Sequence, residues 1–293
     1  MRKALVISTI ISLCLFLLSG CALTSRLMLS RNKLAFDAVS FIGSVERGNI
    51  EYVEHYLGAG MKPNTSDENG RSALMIAAMH GHTKVMELLI SHGAAADAQN
   101  ADGWNALLFA SQEGQAEAVD KLLAHGVNPN VALPQGTTPL MLAAFAGHHT
   151  VVRTLIENGA DVHAKLQNGA SALSLAAQSN WVQVIEDLLT AGSLIDETMD
   201  GGFSALMIAV QEGHVEATVK LIENGADIDM QASNGATALM MAAEKGRLDL
   251  IRVLLYADAK PNLKMDGGYT ALFIAQTNGH SEAASILVGA GAR

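Results

Sequence analysis

Cysteine is almost missing from this chain: Cys14 and Cys21 are the only two among 293 residues. No disulfide scaffold, zinc–cysteine site or cysteine nucleophile can therefore exist beyond residue 21. Excess positive charge is missing too. The formal charge is −10, and nucleic-acid binding draws most of its affinity from cations. The 27 glycines never form G-x-x-x-x-G-K-[ST], so no phosphate loop of that kind is present. No nucleophile, base and orienting group stand out as a triad. The ten histidines include the pairs His80 with His82 and His148 with His149. His82, His148, His214 and His280 fall in one periodic column, so they recur with the chain's repeat instead of clustering as a ligand set. These absences point away from an enzyme, a cofactor, a metal site and a small-molecule substrate.

What the chain does have is a period. Gly70, Gly103, Gly136, Gly169, Gly202, Gly235 and Gly268 are spaced 33 residues apart, and a fixed period of this size is the mark of a repeat array. A second glycine recurs eleven positions on, with Asn180 standing in once. A third recurs twenty-three positions on, with Asp258 standing in once. Gly48 and Gly60 extend the frame upstream, with Asp37 in the place of the lead glycine. Two residues after each lead glycine comes Ser72, Asn105, Thr138, Ser171, Ser204, Thr237 or Thr270. Each is a preferred helix N-cap, and Pro139 suits a first helical position. A short Leu/Met/Ala helix should follow and stop near the second glycine. A second helix carries apolar residues at helical spacing, as at Val85, Leu88 and Leu89. It should end at the third glycine, which takes a left-handed conformation cheaply. Each unit thus reads helix, turn, helix, extended loop, and stacking must bury the apolar sides.

These residues resemble ankyrin repeats. Residues 137–164, TTPLMLAAFAGHHTVVRTLIENGADVHA, carry the resemblance most fully. The family's histidine after T-P-L is replaced by Met75, Leu108, Met141, Ser174, Met207, Met240 and Phe273. The resemblance covers residues 37–293 in about eight units and implies an all-α solenoid with hairpin-like loops, working as a non-catalytic protein-binding module.

Residues 1–21 read MRKALVISTIISLCLFLLSGC. Arg2 and Lys3 form a basic n-region, and residues 4–18 form an apolar h-region of secretory length. Leu18-Ser19-Gly20-Cys21 resembles the bacterial lipoprotein lipobox. That resemblance implies a signal peptide over residues 1–20, cleavage after Gly20, and lipid and palmitate-type acylation at Cys21. Residues 21–36 then form a lipidated N-terminus and flexible tether. Alanine at position 22 implies the outer membrane, facing the periplasm of the bacterial envelope. The alternative is an uncleaved anchor, since the 22 uncharged residues from position 4 to 25 would reach about 33 Å as a helix. Either way the array lies beyond the inner membrane. Removing residues 1–20 takes two cations and no acid, so −10 becomes −12.

Two columns vary while their neighbours hold constant. The first follows the lead glycine and is expected to be exposed on the loop fingers: Arg71, Trp104, Thr137, Ala170, Phe203, Ala236 and Tyr269. The second precedes the second glycine and includes Met79 and Phe145. Aromatics and Arg dominate interface energies. Arg71, Met79, Trp104, Phe145, Phe203 and Tyr269 are therefore the candidate partner-binding residues, of which Arg71, Met79, Trp104 and Phe145 are expected to form one apolar patch rimmed by charge. The bland alternative is that Trp104 or Phe203 folds back onto its own finger. Trp181, beside Asn180, is expected to mark a repacked turn. The expected partner is another protein. An inhibitor or immunity protein that masks a toxin, and a chaperone-like envelope factor, remain open alternatives.

Overall fold

The computed structural model describes residues 22–293. The signal peptide and Cys21 lie outside them. The chain divides into two compact units, up to Asn128 and from Pro129 onward.

In the first unit, residues 22–31 are helical (α1). Three helix pairs follow: α2 (Ala38–Glu46) with α3 (Ile50–Gly58), α4 (Ala73–Met79) with α5 (Thr83–Ser91), and α6 (Ala106–Gln112) with α7 (Ala116–Ala124). The second unit holds five pairs: α8 (Pro139–Ala146) with α9 (His149–Glu157), α10 (Ala172–Gln178) with α11 (Val182–Thr190), α12 (Ala205–Glu212) with α13 (Val215–Glu223), α14 (Ala238–Glu244) with α15 (Leu248–Tyr256), and α16 (Ala271–Thr277) with α17 (Ser281–Gly289). Among the described residues there are isolated bridges such as Ser66 with Ser72, but no strand. No helix there is long and apolar enough to cross a membrane. The architecture is an all-α repeat solenoid.

The seven expected caps all act as caps. Each of Ser72, Asn105, Thr138, Ser171, Ser204, Thr237 and Thr270 accepts from the backbone N–H three residues on. Within each unit the first helices stack on one another, as α10 does on α8 and α12, and the second helices do the same, as α11 does on α9 and α13. Alanines make the close approach possible: Ala77, Ala143, Ala144, Ala176, Ala177, Ala209 and Ala242 have no exposed surface. The second helices bury one stripe each, such as Val184, Ile185 and Leu188, where each large side chain contributes about 1.5–3 kcal/mol.

Loops in the second unit are tied to the next loop by single backbone bonds. Gln167 donates to Gln135 at 3.1 Å, Asp200 to Asn168 at 2.8 Å, Ser233 to Gly201 at 2.8 Å and Asp266 to Asn234 at 2.9 Å. Side chains add a second tie. Asp196 accepts from the Asp227 N–H at 2.9 Å, and Asp229 accepts from Lys260 at 2.8 Å.

Two expectations change at the start of the chain. Asp37 does not occupy a lead-glycine position. It caps α2 by accepting from the Ser40 N–H at 2.7 Å, so the helix begins earlier than the frame predicts. No loop finger precedes this helix to fix its start. Secondly, the segment expected to be a flexible tether is ordered in part. Ser25 and Leu29 of α1 are buried, and the chain that follows is held by Tyr56. The Tyr56 hydroxyl donates to the Ala35 carbonyl at 2.8 Å, and its ring stacks on Phe36 at 6.2 Å.

Candidate functional site

The first helices are apolar on more than the one face that stacking needs. In α14, ALMMAAE, six of the seven residues are apolar, and all six are buried. In α16, Ala271, Leu272 and Ala275 are buried while Ile274 stays half-exposed. The surplus lines a groove of about 520 Å³ in the second unit. Phe203, Ala236, Met240, Met241, Met265 and Ile274 supply its apolar lining, and Gln211, Asn234, Glu244, Lys245 and Asn278 its polar edge. Methionine is unbranched and adapts its shape to what it meets.

The rim is fixed by the next repeat in each case. At the end of α12, the Arg247 guanidinium donates to the Gln211 and Glu212 carbonyls at 3.0 Å each. At the end of α14, His280 Nε2 donates to the Glu244 carbonyl at 3.0 Å. Arg247 lies so close over Gly213 that a Cβ there would displace its guanidinium. An apolar floor, a mixed-charge edge and a braced rim suit the apolar side chains of a polypeptide segment.

The six expected binding residues fall in both units. Arg71 is half-buried. Its Nε donates to Asp67 Oδ2 at 2.7 Å, and its Nη1 lies 4.0 Å from the Met79 sulfur. Trp104, also half-buried, is tilted onto Phe109 with centroids 4.7 Å apart. Phe145 belongs to the second unit and is 52% exposed. Phe203 lies against its own finger at Gly201 and lines the groove. Tyr269 lies against Gly267 and stacks on Phe273 at 4.8 Å. The lead-column residues thus turn back onto their own hairpin and helix, and Ala170 and Ala236 are buried. The expectation of a uniformly exposed column is corrected: an apolar ring beside an apolar helix loses less contact with water by lying on it.

A model of ankyrin repeats, in three copies, matches residues 41–132, 140–232 and 206–293. The chain belongs to the ankyrin-repeat family. No curated protein matches it. Ankyrin repeats are generally protein–protein interaction modules, and the proteins that carry them are generally non-catalytic binders.

In this ankyrin array the residue after the second glycine does more than turn the chain. His82 Nε2 donates to the Glu46 carbonyl at 2.9 Å, and His214 Nε2 to the Gln178 carbonyl at 3.0 Å. Each ring ties the end of the preceding repeat's first helix. Trp181 does the same with its indole, donating to the Phe145 carbonyl at 2.8 Å, and its ring covers Gly147. The turn there is not repacked, because Asn180 takes the left-handed φ of 60° that glycine takes elsewhere. Asparagine tolerates that region better than most side chains. The sequence reading missed Met241, Met265 and Ile274. The available signal was the all-round apolarity of the first helices.

Proposed function

We propose that this protein is an envelope-anchored ankyrin lipoprotein that holds another protein through the groove of its second unit. The groove carries the reading: Phe203, Met241 and Ile274 form an apolar lining bordered by Gln211, Glu244, Lys245 and Asn278, beside no group poised for chemistry. The anchoring part rests on the basic start, the apolar stretch and Leu18-Ser19-Gly20-Cys21, which together resemble a lipoprotein signal. Cys21 would carry the lipid, and the outer membrane facing the periplasm is the proposed location.

A photo-crosslinking amino acid at position 274, in intact cells, should capture one protein reproducibly. Ile274→Gln should then weaken that pairing about tenfold or more, as loss of an interface anchor does. The melting temperature should change little, because Ile274 is half-exposed. Unchanged affinity for the captured protein, with the fold intact, removes the groove from the binding surface.

A further inference from the structure

The helix α1 presents an apolar stripe outward. Ser25 and Leu29 face the first unit and are buried, while Leu23 and Leu27 are 68% and 70% exposed. Leu23, Leu27 and Arg31 are spaced i, i+4, i+8, so they share one face of the helix. Exposed leucines on a short helix at the edge of a folded body need a cover.

The charge around them indicates which cover. Residues 22–36 contain Arg26, Arg31 and Lys33 and no acid. All 29 acidic residues lie at or beyond Asp37. Arg31 and Lys33 are exposed, whereas Arg26 reaches over the Phe36 ring at 5.3 Å. Cations beside exposed leucines are the composition of a helix lying in the plane of an anionic bilayer surface. An acidic repeat array is repelled by the same surface.

We infer that α1 is a membrane seat: it lies flat on an anionic bilayer, with Leu23 and Leu27 dipping into the headgroup boundary and Arg31 and Lys33 on lipid phosphates. This inference rests on the anchoring reading above, because the proposed lipid-bearing Cys21 directly precedes α1. It adds a second attachment to the lipid. Lipid alone would leave the array swinging on its tether. Two attachments, of which one is a helix packed through Leu29, fix how the first unit stands on the membrane.

The test uses the full chain, extracted from its membrane and reconstituted into vesicles of phosphatidylethanolamine and phosphatidylglycerol. A tryptophan introduced by Leu27→Trp should lose emission to lipids brominated high on the acyl chain, and less to lipids brominated near the bilayer centre. An interfacial helix is buried only about 5–10 Å deep. The loss should grow with the phosphatidylglycerol fraction. Arg31→Gln with Lys33→Gln should flatten that dependence, since each cation at such a surface strengthens binding about fivefold. Flotation with the vesicles but no added quenching at position 27 overturns the seat and leaves the anchor standing. Failure to float overturns both. Cross-links between copies through position 27, without quenching, assign the stripe to a second copy and also overturn the seat.

Discussion

Trp181→Ala tests whether an exposed-looking aromatic holds the second unit together. Trp181 is 42% exposed, so a little over half of it is covered. A fully enclosed aromatic buries about 150–250 Å², which puts the area lost at about 130 Å². At about 25 cal/mol per Å² this is about 3 kcal/mol, and a compact unfolded chain trims it to about 2. Loss of the indole bond to the Phe145 carbonyl adds about 1 kcal/mol. The expected cost is about 3 kcal/mol, a fall in melting temperature of roughly 6–12 °C for a unit this size. Trp181→His should cost only about 1 kcal/mol, because the ring nitrogen can still donate, as His214 does to the Gln178 carbonyl. Urea and thermal unfolding followed by circular dichroism read both variants, with the second-unit transition analysed separately if the two units melt apart. A Trp181→Ala change within about 0.5 kcal/mol, the range of ordinary surface sites, would refute the staple. So would a histidine variant no better than alanine.

Asp67 should make the first unit acid-sensitive. Burial pushes its carboxyl upward, but the Arg71 and Asn69 N–H groups and the Arg71 guanidinium outweigh it, and the folded value lies below the ordinary one. Its stabilisation is therefore complete above the ordinary carboxylate range near pH 4 and fades as pH falls through the lower folded value. Asp67→Asn should lose stability at neutral pH and show a shallower decline as pH falls below the ordinary carboxylate range; an identical decline would show that Asp67 does not contribute. Cys21→Ser should abolish incorporation of a fatty-acid probe and leave the precursor uncleaved, whereas continued labelling would remove the lipoprotein reading without touching the repeats.

The fold was legible because each local device in the sequence has a local partner. Thr237 caps α14 with its own side chain, within three residues, and Gly225 takes its positive φ just past the end of α13. Such choices are decided inside one unit and repeat with it. The N-terminal segment was less legible. Residues 22–31 have no sister unit to compare with, and their order depends on Leu29 meeting the first repeat. The histidine column was legible as a turn but not as a tie, for a related reason. Its spacing shows a recurring polar ring, but the acceptor is a carbonyl 36 residues earlier, as for His280 and Glu244, and that pairing exists only after stacking.

The groove lies between these cases. The sequence marks the two variable columns, but it does not say which of their members will be left open, because that depends on neighbours. Trp104 is drawn onto Phe109, and Tyr269 onto Phe273. Trp104 and Tyr269 thus each cover part of their own first helix. Ala236 has only a methyl group in that place, so it cannot reach over α14, and the groove opens beside Met240 and Met241. Phe203 and Ile274, from the repeats on either side, then become walls. The groove in this array is therefore opened by a small residue among larger ones. Reading for aromatics finds the wall at Phe203 but also Trp104 and Tyr269, which lie on their own helices, whereas the opening itself is marked by Ala236.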